Sequence, residues 1–429
     1  MYNSIFWVII AFVIIEFVLK RWVSALNASW FNKPLPTLLQ GIFDQDKYNK
    51  QQAYSMTNYR FGIISSTISV AISLLVLGFG LYGWLDDLLR LSIPQPLLLC
   101  LVFFGIVFIF NTLIDIPFDY YQTFVIEEKF GFNKTSQKTF WLDELKNFLL
   151  TAIVGGIIFA IVTQIYLWLP DYFWLLAWAV VSLFSIFMTM FYSEWIVPLF
   201  NKQTPLEEGE LRTAIENFAS QVGFNLTNIY VLDSSKRTTK ANAYFSGLGS
   251  KKRIVLYDTL IQEMTTEEIV AVLSHEIGHY KHKHTRTMLL ISLLNQLLMF
   301  ALLGYFVGSP ALSIAMGGSV PSFELGFLAF GILFTPISTV IGLLLNMLSR
   351  HNEYQADAFA KEHGLAEPLM SGLKKLSAKS LSNLQPHPAF VFVNYSHPTL
   401  LQRLEALGAD ENASADKNAV KDEGEAPKN

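Results

Sequence analysis

Residues 275–279 read His-Glu-Ile-Gly-His. On a helix, residues four apart lie on one face, so His275 and His279 can present both imidazoles to one metal ion. Neutral imidazole suits Zn²⁺, and Glu276, beside the first ligand, is placed to take a proton from a water on that ion. The pattern also arises by chance as two histidines that merely pack or face solvent, so its surroundings must decide. Thr265 followed three residues later by Glu268 is the signature of a capping box, and Ile269, Val270, Ala271, Val272 and Leu273 form an apolar run behind it. The spacing predicts a buried helix running through the motif. Gly278 inside that helix costs about 1 kcal/mol against alanine, which a backbone or a substrate passing close would explain.

A catalytic zinc site needs a third protein ligand and keeps a fourth position for water. His282 lies seven residues after His275, about 10 Å further along the axis, too far to share the ion. On a continued helix His284 points elsewhere, and both histidines are expected at the surface or behind the ligands. The third ligand must then come from another helix. Residues 352–360 read Asn-Glu-Tyr-Gln-Ala-Asp-Ala-Phe-Ala. Glu353 and Asp357 share one helical face; Glu353 is the expected ligand, and Asp357 can accept the free N–H of a ligating histidine. Ala356, Ala358, Phe359 and Ala360 favour a buried helix over a solvated acidic face.

The elements that must position these residues are mostly membrane helices. The chain has 429 residues, 52% of them hydrophobic and 15% charged, with 35 Phe. About a quarter of the residues in a soluble protein are charged, so this composition belongs in lipid. The net charge of −4 argues against a nucleic-acid partner. The one cysteine, Cys100, excludes an intramolecular disulfide and a cysteine metal site, and lies in an apolar run as a packing residue. Seven apolar runs reach the length of a span, near 3–19, 62–84, 96–118, 147–168, 172–193, 287–308 and 324–348. The first lacks a basic leader and a small-residue cleavage site, so it is expected to anchor rather than to be removed.

The basic loops set the orientation. Lys20, Arg21, Lys33, Lys47, Lys50 and Arg60 lie between spans one and two, and Lys129, Lys134, Lys138 and Lys146 between three and four. Those loops are expected in the cytoplasm, together with the 194–286 insertion and the segment after span seven. His275, Glu276, His279 and Glu353 then all fall on the cytoplasmic side. The N-x-S/T sequences at Asn27, Asn133, Asn225 and Asn412 share that side and are expected to stay unglycosylated.

The expected fold is an all-α membrane protein of about seven transmembrane helices with a small α+β zinc-protease insertion. Its parts are five spans within 1–193, the catalytic insertion at 194–286, two spans within 287–348, a catalytic segment at 349–408 and a disordered tail at 409–429. Within the insertion, Thr204-Pro205-Leu206-Glu207 is expected to open a helix, and 229–232 and 253–257 read as strands. Residues 241–245 between them suit a short edge strand, which could bind a peptide main chain to main chain, or an ordinary hairpin. His397-Pro398 is expected to open the last helix.

The HExxH helix, the later E-x-x-x-D helix, Asn242-Ala243-Tyr244-Phe245, residues 253–260 and the Ser396–Leu404 segment together resemble the type I CAAX prenyl endopeptidase family, over nearly the whole chain. The resemblance implies a multi-pass membrane zinc metalloprotease with one Zn²⁺ per chain. It implies Asn242 and Ala243 as backbone contacts to substrate, and His397 and Arg403 reaching back to stabilise the oxyanion and position neighbours; Tyr244 is an alternative oxyanion donor. The implied substrate is the C-terminus of a prenylated CAAX protein. The implied membrane is the endoplasmic reticulum in a eukaryote or the inner membrane in a bacterium. Two rivals stay open: a membrane quality-control protease with no prenyl requirement, and a transporter or scaffold with a structural zinc site, for which Glu276 would have no use. No self-complementary motif is visible, so a monomer is expected.

Overall fold

A computed structural model describes residues 3–224, 226, 228–247 and 253–409. The expected tail beyond Ala409, together with Gly249, Asn225 and Asn412, lies outside these residues.

Among the described residues, six helices are long and apolar enough to cross a membrane: Gln45–Gly78, Pro96–Phe130, Gln137–Trp168, Pro170–Phe200, His284–Phe306 and Phe323–Glu362. Six of the seven predicted spans overlap them, though 62–84 runs past the helix end at Gly78 and across a left-handed Gly80. The first, 3–19, falls in helix Ser4–Ala28, whose apolar part ends at Lys20 and Arg21. That helix packs Phe6 and Ile9 against Leu77, Phe103, Leu312 and Leu325. A helix satisfies its own backbone polar groups, which is what lets it lie in hydrocarbon. Ile64, Leu113, Leu183, Leu290 and Leu344 on these helices are exposed, as lipid-facing residues would be. Inside, Phe104, Phe159, Phe323 and Phe327 meet edge to face or tilted.

Four strands form one sheet in the order β1-β2-β4-β3: β1 Gln203–Pro205, β2 Ile229–Leu232, β3 Ala243–Ser246 and β4 Arg253–Tyr257. β2 and β4 run parallel, with Ile229 opposite Ile254; β1 and β3 pair antiparallel on either side. The β2 and β4 strands lie where the sequence places them, and β3 is an edge. Residues 203–205 differ from expectation. They form a strand, and the helix starts only at Glu210 after Gly209. Pro205 has no N–H to give, which an edge strand tolerates. Ile254, Leu256 and Leu260 are fully buried against Ile269 and Leu273. The sheet thereby fixes the helix Thr266–Lys281, the motif helix.

The 40-residue helix Phe323–Glu362 runs from one end of the bundle into the catalytic segment and carries Glu353 and Asp357 near its C-terminal end. At its other end Arg90, on helix Leu81–Arg90, binds buried Asp86 (Nε–Oδ2 2.8 Å) and Glu324 (Nη2–Oε1 2.7 Å).

Candidate metal centre

The motif helix begins as the spacing predicts. Thr265 Oγ1 accepts from the Glu268 N–H, and the Glu268 carboxylate accepts from the Thr265 N–H. Glu268 also receives Ser371 Oγ at 2.6 Å and Lys375 Nζ at 2.7 Å from helix Ala366–Lys379. Burial resists its ionisation, but Lys375, Ser371 and the Thr265 N–H prevail and hold the carboxyl below its usual range.

Gly278 is the close-approach point. A Cβ there would stand 3.1 Å from both Ala356 Cα and Phe359 Cβ. The passing backbone is that of the Glu353 helix, and this contact brings Glu353 up to the two histidines.

One ligand-capable atom from each of His275, His279 and Glu353 lies within 4.8 Å of the others. His279 Nε2 is 3.1 Å from His275 Nε2 and 3.2 Å from Glu353 Oε1. His275 Nε2 is 3.4 Å from Glu353 Oε2, a buried atom with no hydrogen bond. His275 and Glu353 are buried; Glu276 and His279 are half-buried.

Hydrogen bonds on the far side of each ring set the tautomers. His275 Nδ1 lies 2.8 Å from Asp357 Oδ1, an acceptor, so Nδ1 carries the proton and Nε2 turns its lone pair inward. For His279 the chain is longer. His284 Nε2 donates to Gln355 Oε1 at 2.8 Å, which leaves His284 Nδ1 as the acceptor for His279 Nδ1–H at 2.9 Å. His279 Nε2 therefore also points a lone pair inward. Two imidazole lone pairs and a carboxylate oxygen without a hydrogen bond repel one another unless a cation lies among them, so this donor set fits a divalent metal ion. Without an ion, Asp357 and Glu353 favour the protonated His275 ring against its burial; a bound ion would take the place of that proton on Nε2.

The sequence reading left His284 either at the surface or behind the ligands; the structure puts it behind His279. The helix ends at Lys281, and Lys283 takes a left-handed conformation (φ 61°), which turns the His284 ring back onto His279. Its five-residue spacing from His279 was a usable signal only with a break assumed between them.

The C-terminal segment supplies the remaining polar groups. Arg403 grips Asp357 with two bonds, Nε to Oδ2 at 2.8 Å and Nη2 to Oδ1 at 2.6 Å, and its Nη1 lies 3.6 Å from Glu353. His397 Nε2 is 3.4 Å from Glu353 Oε1, and the side chain is otherwise largely exposed. Thr399, rather than His397 or Pro398, caps the last helix Leu400–Leu407 through a capping box with Gln402. This leaves His397 in the connection before it, free of helical geometry.

A cavity of about 200 Å³ beside the cluster is lined by Phe245, Glu276, His279, His284, Met288 and Asn352, among others. Strand alternation puts Phe245 on this side and Tyr244 on the other. The Tyr244 hydroxyl lies 3.3 Å from Ser193 Oγ, and its ring packs near Tyr257. Asn242 gives its carbonyl to the Tyr257 N–H and its side-chain oxygen to the Ala243 N–H. Asn242 and Ala243 thus enter β3 at the end of the sheet.

Comparison with known proteins covers most of the chain. Residues 24–202 match the model "CAAX prenyl protease N-terminal, five membrane helices", and residues 205–411 match "Peptidase family M48". The CAAX prenyl protease 1 of Saccharomyces cerevisiae is 36% identical over 400 residues, covering 87% of this chain and 88% of that protein. The Homo sapiens homolog is 34% identical over 422 residues, with 87% and 88% covered. The crystal structure of S. mikatae Ste24p aligns with a TM-score of 0.90 at 33% identity, over 95% of this chain and 100% of that one. The chain belongs to peptidase family M48, as one of its multi-pass membrane metalloendopeptidases.

Proposed function

We propose that this protein hydrolyses peptide bonds near the C-terminus of prenylated CAAX-type proteins, at a zinc ion held by His275 Nε2, His279 Nε2 and Glu353. It works as a monomer, with the site on the cytoplasmic face of the endoplasmic reticulum membrane. The observation that carries the reading is the convergence of three ligand-capable side chains, His275, His279 and Glu353, next to Glu276 and an edge strand. The eukaryotic relatives bear the name CAAX prenyl protease 1.

Bound zinc supplies a Lewis acid and a water of lowered pKa. Everything else falls to the chain. Glu276 takes the proton of the attacking water on a carboxylate oxygen and passes it to the leaving amine. The outer edge of β3, entered through Asn242 and Ala243, holds the substrate extended as an added strand. Asp357 keeps the His275 proton on Nδ1, Arg403 locks Asp357, and His284 with Gln355 does the same service for His279. His397 is the oxyanion donor, since its ring faces Glu353, whereas the Tyr244 hydroxyl is engaged with Ser193. Tyr244 then helps hold β3.

The test is cleavage of one CAAX peptide with and without a farnesyl group, by wild type and Glu276→Gln, with zinc counted in both. Cleavage by wild type alone, faster with the farnesyl group, is expected. Equal cleavage of both peptides would replace this substrate by membrane peptides in general. Normal turnover by Glu276→Gln would remove the assigned base.

A further inference from the structure

A second cavity, of about 410 Å³, opens where helix Ser4–Ala28, helix Gln45–Gly78 and the chain around 380–395 meet. Arg21, Asn27, Asn58, Ser382, Asn383 and Tyr395 help to line it, and Arg21 is the one charged side chain among its lining residues. Arg21 Nε and Asn383 Nδ2 are buried and make no hydrogen bond. Both are donors. An unpaired buried donor costs about 1–3 kcal/mol, and a charged one more. No acidic side chain is among the residues that line the cavity.

A basic residue at the end of a span ordinarily serves orientation alone. Lys20 fits that role: its side chain is 66% exposed and pairs with Glu16 one turn back. Arg21 turns the other way, its Nη1 3.8 Å from where a Cβ on Gly62 would stand. Glu127 reaches the cavity wall through the Tyr54 hydroxyl at 2.6 Å, but it is paired with Lys240 at 2.8 Å. Asn27 accepts the His387 N–H on Oδ1, which leaves its amide hydrogens available.

The cavity is tied to the metal centre. Arg350, one turn before Glu353, donates to the Tyr395 carbonyl, and Tyr395 lines the cavity. Two residues on, His397 stands beside Glu353. Two extended residues cover at most about 7 Å, so this wall of the cavity lies close to the cluster.

We propose that this cavity is an anion subsite that takes the free C-terminal carboxylate of the peptide substrate on Arg21 and Asn383. The proposal rests on the hydrolytic reading given above and adds how the enzyme would recognise a chain end. A phospholipid phosphate offers the same acceptor chemistry, and the test separates the two.

Full-length Glu276→Gln protein loaded with zinc binds a fluorescent farnesylated peptide in micelles, read by anisotropy, once with a free C-terminal carboxylate and once as the carboxamide. At least a tenfold preference for the carboxylate is expected, lost on adding Arg21→Gln and partly kept with Arg21→Lys. Equal binding of the two peptides overturns the proposal with no Arg21 variant needed. A preference that survives Arg21→Gln overturns the assignment to Arg21. Competition by phosphatidic acid but not phosphatidylcholine, without a carboxylate preference, gives the cavity to a lipid phosphate and overturns it too. Because binding is read without turnover, a wild type that cuts neither peptide while its variant still prefers the carboxylate would sink the hydrolytic reading and leave this one standing.

Discussion

The helix Phe323–Glu362 carries a buried ionic cluster near each end, and the two behave as opposites. At one end Arg90 joins Asp86 and Glu324. Near the other, some 29 residues and about 40 Å away, Arg403 joins Asp357 beside Glu353. Both bury carboxylates against an arginine. In the first the arginine bonds both acids directly, and neither acid keeps a buried oxygen without a hydrogen bond. In the second Arg403 saturates Asp357 while Glu353 turns Oε2, which keeps no hydrogen bond, toward His275 Nε2 and Oε1 toward His279 Nε2. Burial of charge is common to both; convergence of unsatisfied acceptors belongs to one. That convergence is what makes a metal site, and a paired charge elsewhere in the bundle is only an anchor.

The comparison can be broken most forcefully at the catalytic end. Glu276→Gln should keep its zinc and lose peptide cleavage by about 10²–10⁴-fold, measured by single-turnover assay beside metal analysis. Next come matched substitutions at the two ends. Asp357→Asn should weaken zinc binding by about 10–100-fold in a chelator competition. Asp86→Asn should leave zinc affinity unchanged and lower stability by ~2–3 kcal/mol in a thermal scan, since Arg90 is partly exposed and can turn to solvent. A loss of zinc in Asp86→Asn would show the ends to be coupled and end the contrast.

Two glycines sharpen the same comparison. Gly278→Ala gains helix propensity of about 1 kcal/mol but meets Ala356 Cα and Phe359 Cβ at 3.1 Å. The expected result is a net loss of ~1 kcal/mol, with weaker zinc binding as the Glu353 helix is pushed away. At the far end a Cβ on Gly83 would overlap the Gly317 carbonyl carbon at 2.0 Å. Gly83→Ala should therefore cost more stability while sparing zinc affinity. Unaltered zinc binding in Gly278→Ala would mean that this contact does not set the site.

The smallest effect is one of pH. Glu268 and Asp258 are both held below their usual carboxyl range, Glu268 by Lys375, Ser371 and the Thr265 N–H, Asp258 by Ser234, Ser235 and the Thr259 N–H, in each case against burial. A folded-state pKa lower than the unfolded one contributes stability above the unfolded value and loses it as pH falls through the folded value. The catalytic insertion should thus lose stability below about pH 4. Glu268→Gln should flatten that part of the profile; an unchanged profile would assign the acid sensitivity elsewhere.

What could be read from the chain alone follows from local rules. Periods of four placed His275 with His279 and Glu353 with Asp357. Thr265 and Glu268 marked a helix start that forms as a capping box, and the apolar runs marked six helices long enough to span. Local rules failed where the chain changes direction. They left His284 either at the surface or behind the ligands, and a left-handed Lys283 turns it back onto His279. Thr204-Pro205 reads as a helix start but pairs with β2. His397-Pro398 reads as another, yet Thr399 takes the cap.

The sequence by itself determined the chemistry available, two histidines, a base and a carboxylate in helical register, and the lipid environment, because both are properties of residue type and short spacing. Only the tertiary structure decided which atoms converge. The distance from His275 to Glu353 depends on a glycine contact between two helices, the ring tautomers on partners five and eighty-two residues away, and the inward turn of Arg21 on a cavity built from three distant segments. Such contacts are set by packing between elements, and no local period encodes them.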